Sequence, residues 1–167
     1  MKEITGNIWD YHDNGQWIVV PTNGSVRNDG ACVMGRGIAL QAARRFLALP
    51  YELGQRLAAR GNRVYFFPDY RLLTFPVRHI WSERAELHLI EESTHSLYIL
   101  VSSAMPKLEV VYLPRVGCGN GRLLWQDVKP VLEQYLDDRF VVVGEHSRVN
   151  SLPLRKYSLT EAHQLSG

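Results

Sequence analysis

Residues Val110 to Trp125 read VVYLPRVGCGNGRLLW, and this stretch constrains the chain most. It opens apolar and β-prone, and Pro114 removes a ladder donor and ends a strand. Gly117, Gly119 and Gly121 then stand at every second position, with Asn120 among them. Such a loop can take backbone angles closed to other residues and let another group come close. From Trp125 an apolar pattern of helical spacing begins. The order strand, glycine loop, helix makes a place where bare N–H groups surround an anion. Alone, it is equally a tight connection that cradles nothing.

A second segment repeats the pattern. Trp17 to Val20 (WIVV) reads as a short buried strand, and Pro21 to Val33 as a long polar loop. Met34-Gly35-Arg36-Gly37 then leads into a helix over IALQAARRFLAL. Ile38, Ala42 and Phe46 form one stripe, and Ala39, Ala43 and Leu47 the next. If both strands belong to one parallel sheet, both loops emerge at its carboxyl edge, where open α/β sheets bind ligands.

The remaining elements follow in order. Lys2 to Gly6 is a first strand, and Asn7 and Asp10 follow with turn chemistry. His12 reads as a surface loop histidine. Pro50 breaks the helix begun at Ile38, and Tyr51 to Arg60 makes another, stopped by Gly61. Val64–Phe67 and Leu72–Phe75 pair as a hairpin about Pro68-Asp69-Tyr70. Glu83 to Ala104 is the longest helix, with Leu87, Ile90, Leu97, Val101 and Ala104 facing one way and Glu91, Glu92 and His95 in solvent. Glu109–Leu113 is a core strand, Trp125–Asp137 the last main helix and Phe140–Val143 a final strand. The alternation predicts a three-layer α/β/α fold with a mixed, mostly parallel central sheet.

Bulk properties agree with one domain. The chain has 167 residues, 46% of them hydrophobic and 22% charged, ordinary values for a globular protein. No apolar run approaches the roughly 18–20 residues of a membrane span, and no signal-peptide core is visible. The expectation is a soluble, cytoplasmic monomer without membrane association. Cys32 and Cys118 make no disulfide framework; they fall in the two candidate loops, which makes them possible neighbours in space. No CxxC or HxxxH spacing supports a metal site, and no cofactor is expected. A formal charge of +2 suits an anionic ligand mildly and is too small to argue for nucleic acid.

Several segments resemble one family. VMGRGIALQAARRF resembles the MGxGxAxxxxxxF segment of macrodomains, the ADP-ribose-binding modules. LPRVGCGNGRLLWQDVKPVLEQ resembles their second loop and following helix, GNIWD the motif on which adenine sits. FPVRHIW resembles a segment of the subclass that removes ADP-ribose from DNA bases or from protein carboxylates. The resemblance runs from about Ile4 to Val143 and keeps the motif order. It implies a macrodomain over residues 1–145, with 146–167 a tail or an added short helix patterned at Leu159 to Leu165.

The resemblance also implies where ADP-ribose, free or on a protein or nucleic acid, would lie. Asn7 and Ile8 would hold adenine, with a turn role open for Asn7. Thr22 and Asn23 would join the site, Asn23 touching the distal ribose, with a simple chain turn at Thr22-Asn23-Gly24 as the other reading. Met34, Gly35, Arg36, Gly37 and Ile38 would line the ADP-ribose site with Arg115, Val116, Gly117, Cys118, Gly119, Asn120 and Gly121, the helix start favouring the diphosphate and Met34 packing under the ligand. Arg115 has a structural ion pair as its other reading, and Arg122 either meets a phosphate or stays in solvent. Two departures matter. Arg78 stands where the DNA-deribosylating subclass has a catalytic lysine, and Arg does not readily act as base or nucleophile. Gly121 stands where a protein-deribosylating subclass has an acid. The catalytic candidates are then Asn23, Arg78 and His79, the last able to titrate near neutrality. Three functions remain open: a hydrolase of an ADP-ribosyl linkage, a non-catalytic ADP-ribose binder, and, ranked last for want of a GxGxxG after the first strand, a dinucleotide oxidoreductase.

Overall fold

The computed structural model describes residues 1–108 and 110–146. The sequence expectations for Glu109 and for the tail after His146 lie outside the described residues. In chain order the elements are β1 (Lys2–Thr5), α1 (Ile8–Asp13), β2 (Trp17–Thr22), α2 (Gly37–Arg45), α3 (Leu49–Arg60), β3 (Tyr65–Phe67), β4 (Leu72–Pro76), α4 (Leu87–Ala104), β5 (Val111–Pro114), α5 (Trp125–Glu133) and β6 (Phe140–Gly144).

The six strands form one sheet in the order β1-β6-β5-β2-β4-β3. Every neighbouring pair is parallel except β3 with β4. The sheet is mixed and mostly parallel, as the sequence alternation predicts. Its strands are apolar at successive positions because both faces are covered. Val19, Leu73, Phe75, Leu113 and Val142 pack on one face with Ile90, Leu97 and Val101 of α4 and Val128 and Leu132 of α5. Ile18, Val20 and Leu72 pack on the other with Trp9, Ala42, Leu49, Leu53 and Leu57 from the first three helices. Period-2 alternation therefore divides β2 and β4 between two cores, and the three-layer α/β/α architecture results.

One local feature opens the sheet. The β2–β5 ladder contains only Trp17↔Val111 and Ile18↔Tyr112. Beyond it, β2 stays paired with β4 as far as Thr22↔Pro76, and β5 with β6 as far as Pro114↔Val143. The two halves splay apart between these strands. Pro21 and Pro114 both lie in the unpaired run, where a missing N–H removes no rung between β2 and β5. β2 consequently extends through Pro21 to Thr22, and Pro114 is the last residue of β5 rather than a stop before it.

The structure corrects several local expectations. Residues after Asn7 form α1 instead of a turn, because the Asn7 Oδ1 accepts the Trp9 N–H at 3.0 Å and caps the helix. His12 is no surface residue: it is 4% exposed, beneath Trp9 and Phe46, with its Nε2 2.7 Å from the Tyr70 carbonyl oxygen. α2 ends at Arg45, and Phe46 turns to φ −127°, ψ 90°. That rotates Leu47 out of its stripe, leaving it 79% exposed. Pro50 does not end a helix but lies in the first turn of α3, where its missing N–H has no partner to lose. α4 starts at Leu87, not Glu83; Leu87 and Ala104 are exposed at its two ends, and Leu89, Ser93 and Thr94 join its buried face. None of the helices among the described residues is long and apolar enough to cross a membrane.

Candidate functional site

Where the sheet splays, a cleft of about 1070 Å³ opens at the carboxyl edge of the parallel strands. It lies between adjacent strands whose connections leave in opposite directions. β2 continues to α2 on one face of the sheet, and β5 to α5 on the other. This is a topological switch point, the crevice where open α/β sheets take ligands. A volume of this size suits a nucleotide-sized molecule.

The first loop forms one wall. Gly37 has φ +55°, which a side chain would strain, and it starts α2 with three N–H groups free of helical partners. Gly35 differs: a Cβ there meets nothing within 4 Å, and its φ lies outside the left-handed region. Asn23, 6% exposed at the base of the loop, donates its Nδ2 to the Val33 carbonyl at 2.9 Å and accepts the Ser25 N–H on Oδ1 at 2.9 Å. Its amide ties the two ends of the loop together while lining the cleft. The loop is also seated on α3, since a Cβ at Gly54 would meet the Gly30 backbone.

The second loop forms the opposite wall and folds on itself. Gly117 has φ +77°, and its carbonyl accepts the Leu123 N–H at 2.9 Å. A Cβ on Gly121 would stand 2.5 Å from the Gly117 oxygen and 2.8 Å from the Ala85 Cβ. No acid fits there, so the Asp position of one resembled subclass is closed by packing. Three successive carbonyls of this loop accept donors from the segment after β4. Arg78 Nη1 donates to Asn120 O at 3.3 Å, the Ala85 N–H to Gly121 O at 3.0 Å and Arg84 Nη2 to Arg122 O at 2.9 Å. Arg78 Nη1 also donates to Glu83 O at 2.9 Å. Burial first, then the charges of Arg36 and Arg122, lower the Arg78 pKa from its ordinary value.

Most sequence candidates line the cleft. Asn7, Ile8, Thr22, Asn23 and Met34 through Ile38 do so, as do Arg78, Arg115, Gly117, Cys118, Gly119, Asn120 and Gly121. Asn7 caps α1 as well, so turn chemistry and cleft lining coexist. Val116 does not line it: its side chain is fully buried in the core beneath the loop. His79 also stands outside. Its Nδ1 is 3.0 Å from Asn62 Nδ2, its Nε2 faces Glu86 at 3.8 Å, and it is 56% exposed. Cys32 and Cys118 are free thiols packed on opposite sides of the sheet. Burial pushes Cys32 up to about 12 and Cys118 up to about 11, so neither is a nucleophile near neutrality.

Other lining residues went unnoticed in the sequence: Gln41, Trp81, Trp125 and Glu145. Trp81 ends the quoted FPVRHIW motif and stands half-exposed at the mouth, so that motif was the signal for it. Gln41 lies on α2 opposite the expected stripe and accepts the Trp9 Nε1–H at 2.6 Å; nothing local marks it. Among the described residues no group of three His, Cys, Asp or Glu side chains is placed to hold a metal ion.

Comparison with known proteins fits this geometry. No protein-family model matches the sequence. A curated relative from Thermus aquaticus, described as a DNA ADP-ribosyl glycohydrolase, is 28% identical over 116 residues, 63% of this chain. The chain covers 31% of that relative's length. The macrodomain of Mycobacterium tuberculosis DarG superposes with a TM-score of 0.65 at 25% identity, over 79% of this chain and 90% of that one. The macrodomain of Thermus aquaticus DarG gives 0.67 at 23% identity, over 87% and 97%. Thermosipho africanus DarTG in complex with ADP-ribose gives 0.63 at 19% identity, over 81% of this chain and 39% of that one. A splayed mixed sheet, a cleft between two glycine loops and these structural neighbours together give this chain the macrodomain fold, similar to that of the DarG macrodomains.

Proposed function

We propose that the chain binds ADP-ribose in the cleft between the two loops and hydrolyses an ADP-ribosyl linkage, on a macromolecule or in ADP-ribose-1″-phosphate. One observation carries the reading: two glycine loops, leaving neighbouring strands in opposite directions, face each other across about 1070 Å³. The helix start of α2 favours a diphosphate through its free N–H groups and positive dipole end. Asn7 and Ile8 line the cleft and would take the adenine, and Arg78 and Trp81 line it as well. The likeness to DarTG with ADP-ribose and to a DNA ADP-ribosyl glycohydrolase supports both the ligand and the reaction class.

In this reading Arg78 does electrostatic work. Held by two carbonyls, it stays protonated and stabilises negative charge on the leaving group. Its buried Nε has no hydrogen-bond partner, so the side chain retains a donor. Gly121 leaves no room for a general base, and a substrate phosphate would activate the attacking water. The second reading is binding without turnover. It is favoured by the structural employment of Arg78 as a brace between the second loop and the segment after β4.

The deciding experiment pairs calorimetry against ADP-ribose and AMP with turnover of ADP-ribosylated protein, ADP-ribosylated DNA and ADP-ribose-1″-phosphate. Tighter binding of ADP-ribose than AMP, with release from any one substrate, supports the hydrolase. Binding with no release from all three supports the second reading. Equal affinity for AMP and ADP-ribose would sink both, because each loop should contact its own part of the diphosphate.

A further inference from the structure

Asn62 lies in the connection between α3 and β3, outside the cleft. It is half-buried, and its side-chain oxygen is buried without a hydrogen-bond partner. Its nitrogen is fully employed. Nδ2 donates to the Arg78 carbonyl at 3.1 Å. It also lies 3.0 Å from His79 Nδ1, an acceptor when Nε2 carries the ring proton toward Glu86. The amide orientation follows from these partners: the Arg78 carbonyl only accepts, so nitrogen and not oxygen must face it. A turn asparagine with a local task bonds its own backbone a residue or two away. Asn62 reaches 16 and 17 positions along the chain instead.

The segment that Asn62 holds is fastened to both walls of the cleft. On the side of the first loop, the Val77 N–H donates to Thr22 O at 2.9 Å, the Gly24 N–H to His79 O at 3.0 Å and the Trp81 N–H to Ser25 Oγ at 3.0 Å. Asn62 closes this contact from behind: a Cβ on Gly24 would stand 3.0 Å from its Cγ and Nδ2 and 2.9 Å from His79 O. On the other side, Arg78 Nη1 reaches Asn120 O of the second loop at 3.3 Å. Asn62 therefore grips the peptide from which that reach begins. A peptide free to shift by about 1 Å would carry the guanidinium off its carbonyls, and displacements of that size are enough to spoil a preorganised site.

We propose that Asn62 is a positioning residue for ADP-ribose: from outside the cleft it fixes the Arg78 peptide, and through Arg78 it sets the second loop against the first. The inference rests on the ADP-ribose reading above. Asn62 touches no ligand in this arrangement. Its effect on binding passes through Arg78, and that route separates it from a residue that merely supports the fold.

The test is ADP-ribose calorimetry with thermal melting on the full chain, run as a double-mutant cycle with Arg78→Gln. Asn62→Asp keeps the shape behind Gly24 and removes the donor. Asn62→Ala removes the donor without adding a charge, and carries the cycle if the first variant fails to fold. Each should lower ADP-ribose affinity about fivefold, with little change in melting temperature. In the Arg78→Gln background the same changes should alter affinity by less than about twofold, because the group through which Asn62 acts is already gone. Gln55→Ala, exposed on α3 and off the cleft, is the control and should change neither quantity. Equal losses in the two backgrounds overturn the proposal, since independent sites add. Parent-like affinity in a folded Asn62→Ala overturns it as well. A parent that does not bind ADP-ribose would instead defeat the ADP-ribose reading itself, and this inference with it.

Discussion

The two glycine loops look alike in the sequence and differ in what their glycines do. In the loop after β2, Gly35 has open space where a Cβ would go. The absent side chain there leaves room for something outside the protein. In the loop after β5, Gly121 is glycine because the Gly117 carbonyl and Ala85 lie against it. The absent side chain there leaves room for the protein itself. The first loop is tied by its own Asn23 and seated on α3. The second is held from outside, by Arg78, Ala85 and Arg84 on three successive carbonyls. A missing side chain thus serves access at Gly35 in one wall of the cleft and rigidity at Gly121 in the other.

The sharpest way to break this contrast is Gly121→Ala. A Cβ that close to a backbone oxygen cannot be absorbed by a rotamer change, and a cost of about 3 kcal/mol is expected from overpacking. Thermal melting should show the loss, together with weakened ADP-ribose binding. A variant that melts like the parent would mean that the second loop rearranges freely, and the rigid-wall description would go.

Gly35→Glu is its counterpart. The chain should fold normally and lose at least about a hundredfold in ADP-ribose affinity, through bulk and a carboxylate facing phosphate. Gly61→Glu is the control. Gly61 caps α3 at φ +88° and lies off the cleft, so about 1 kcal/mol of stability is expected to go with no change in affinity. A Gly35→Glu protein that binds like the parent would reduce the first loop to a connection.

Arg78→Gln removes the brace without touching a glycine. Asn120 O and Glu83 O lose a charged donor, so the second loop should loosen and ADP-ribose affinity fall about tenfold. The melting temperature should barely move. Unchanged affinity would show that Arg84 and the Ala85 N–H hold the loop unaided.

The smallest effect concerns the cysteines, one from each loop. Only the thiolate reacts with an alkylating reagent. With Cys32 pushed up to about 12 and Cys118 up to about 11, both are thiols at pH 8 and label slowly. Cys118 is half-buried and lines the cleft, so it should label first and be protected by ADP-ribose. Cys32 should label only after denaturation. Fast labelling of Cys32 in the folded protein would show that the first loop opens.

What the amino-acid sequence determined by itself is local. Apolar runs of period 2 and stripes of helical spacing announced the sheet and four of the five helices, because burial patterns are written in nearest neighbours. Glycine at Gly37 and Gly117 announced loops, because positive φ is a property of one residue. The two loop motifs, read in order, located the cleft. Tertiary structure decided everything that depends on residues far apart. His12 is buried because Tyr70, 58 positions away, accepts its hydrogen bond. His79 is turned from the cleft toward Asn62, and Val116 sinks into the core beneath its own loop. Gly121 is closed to an acid by the Gly117 carbonyl and Ala85. The cleft itself exists because the β2–β5 ladder stops after two rungs. Pairing between strands about ninety residues apart is a matter of register and packing, which no local pattern encodes.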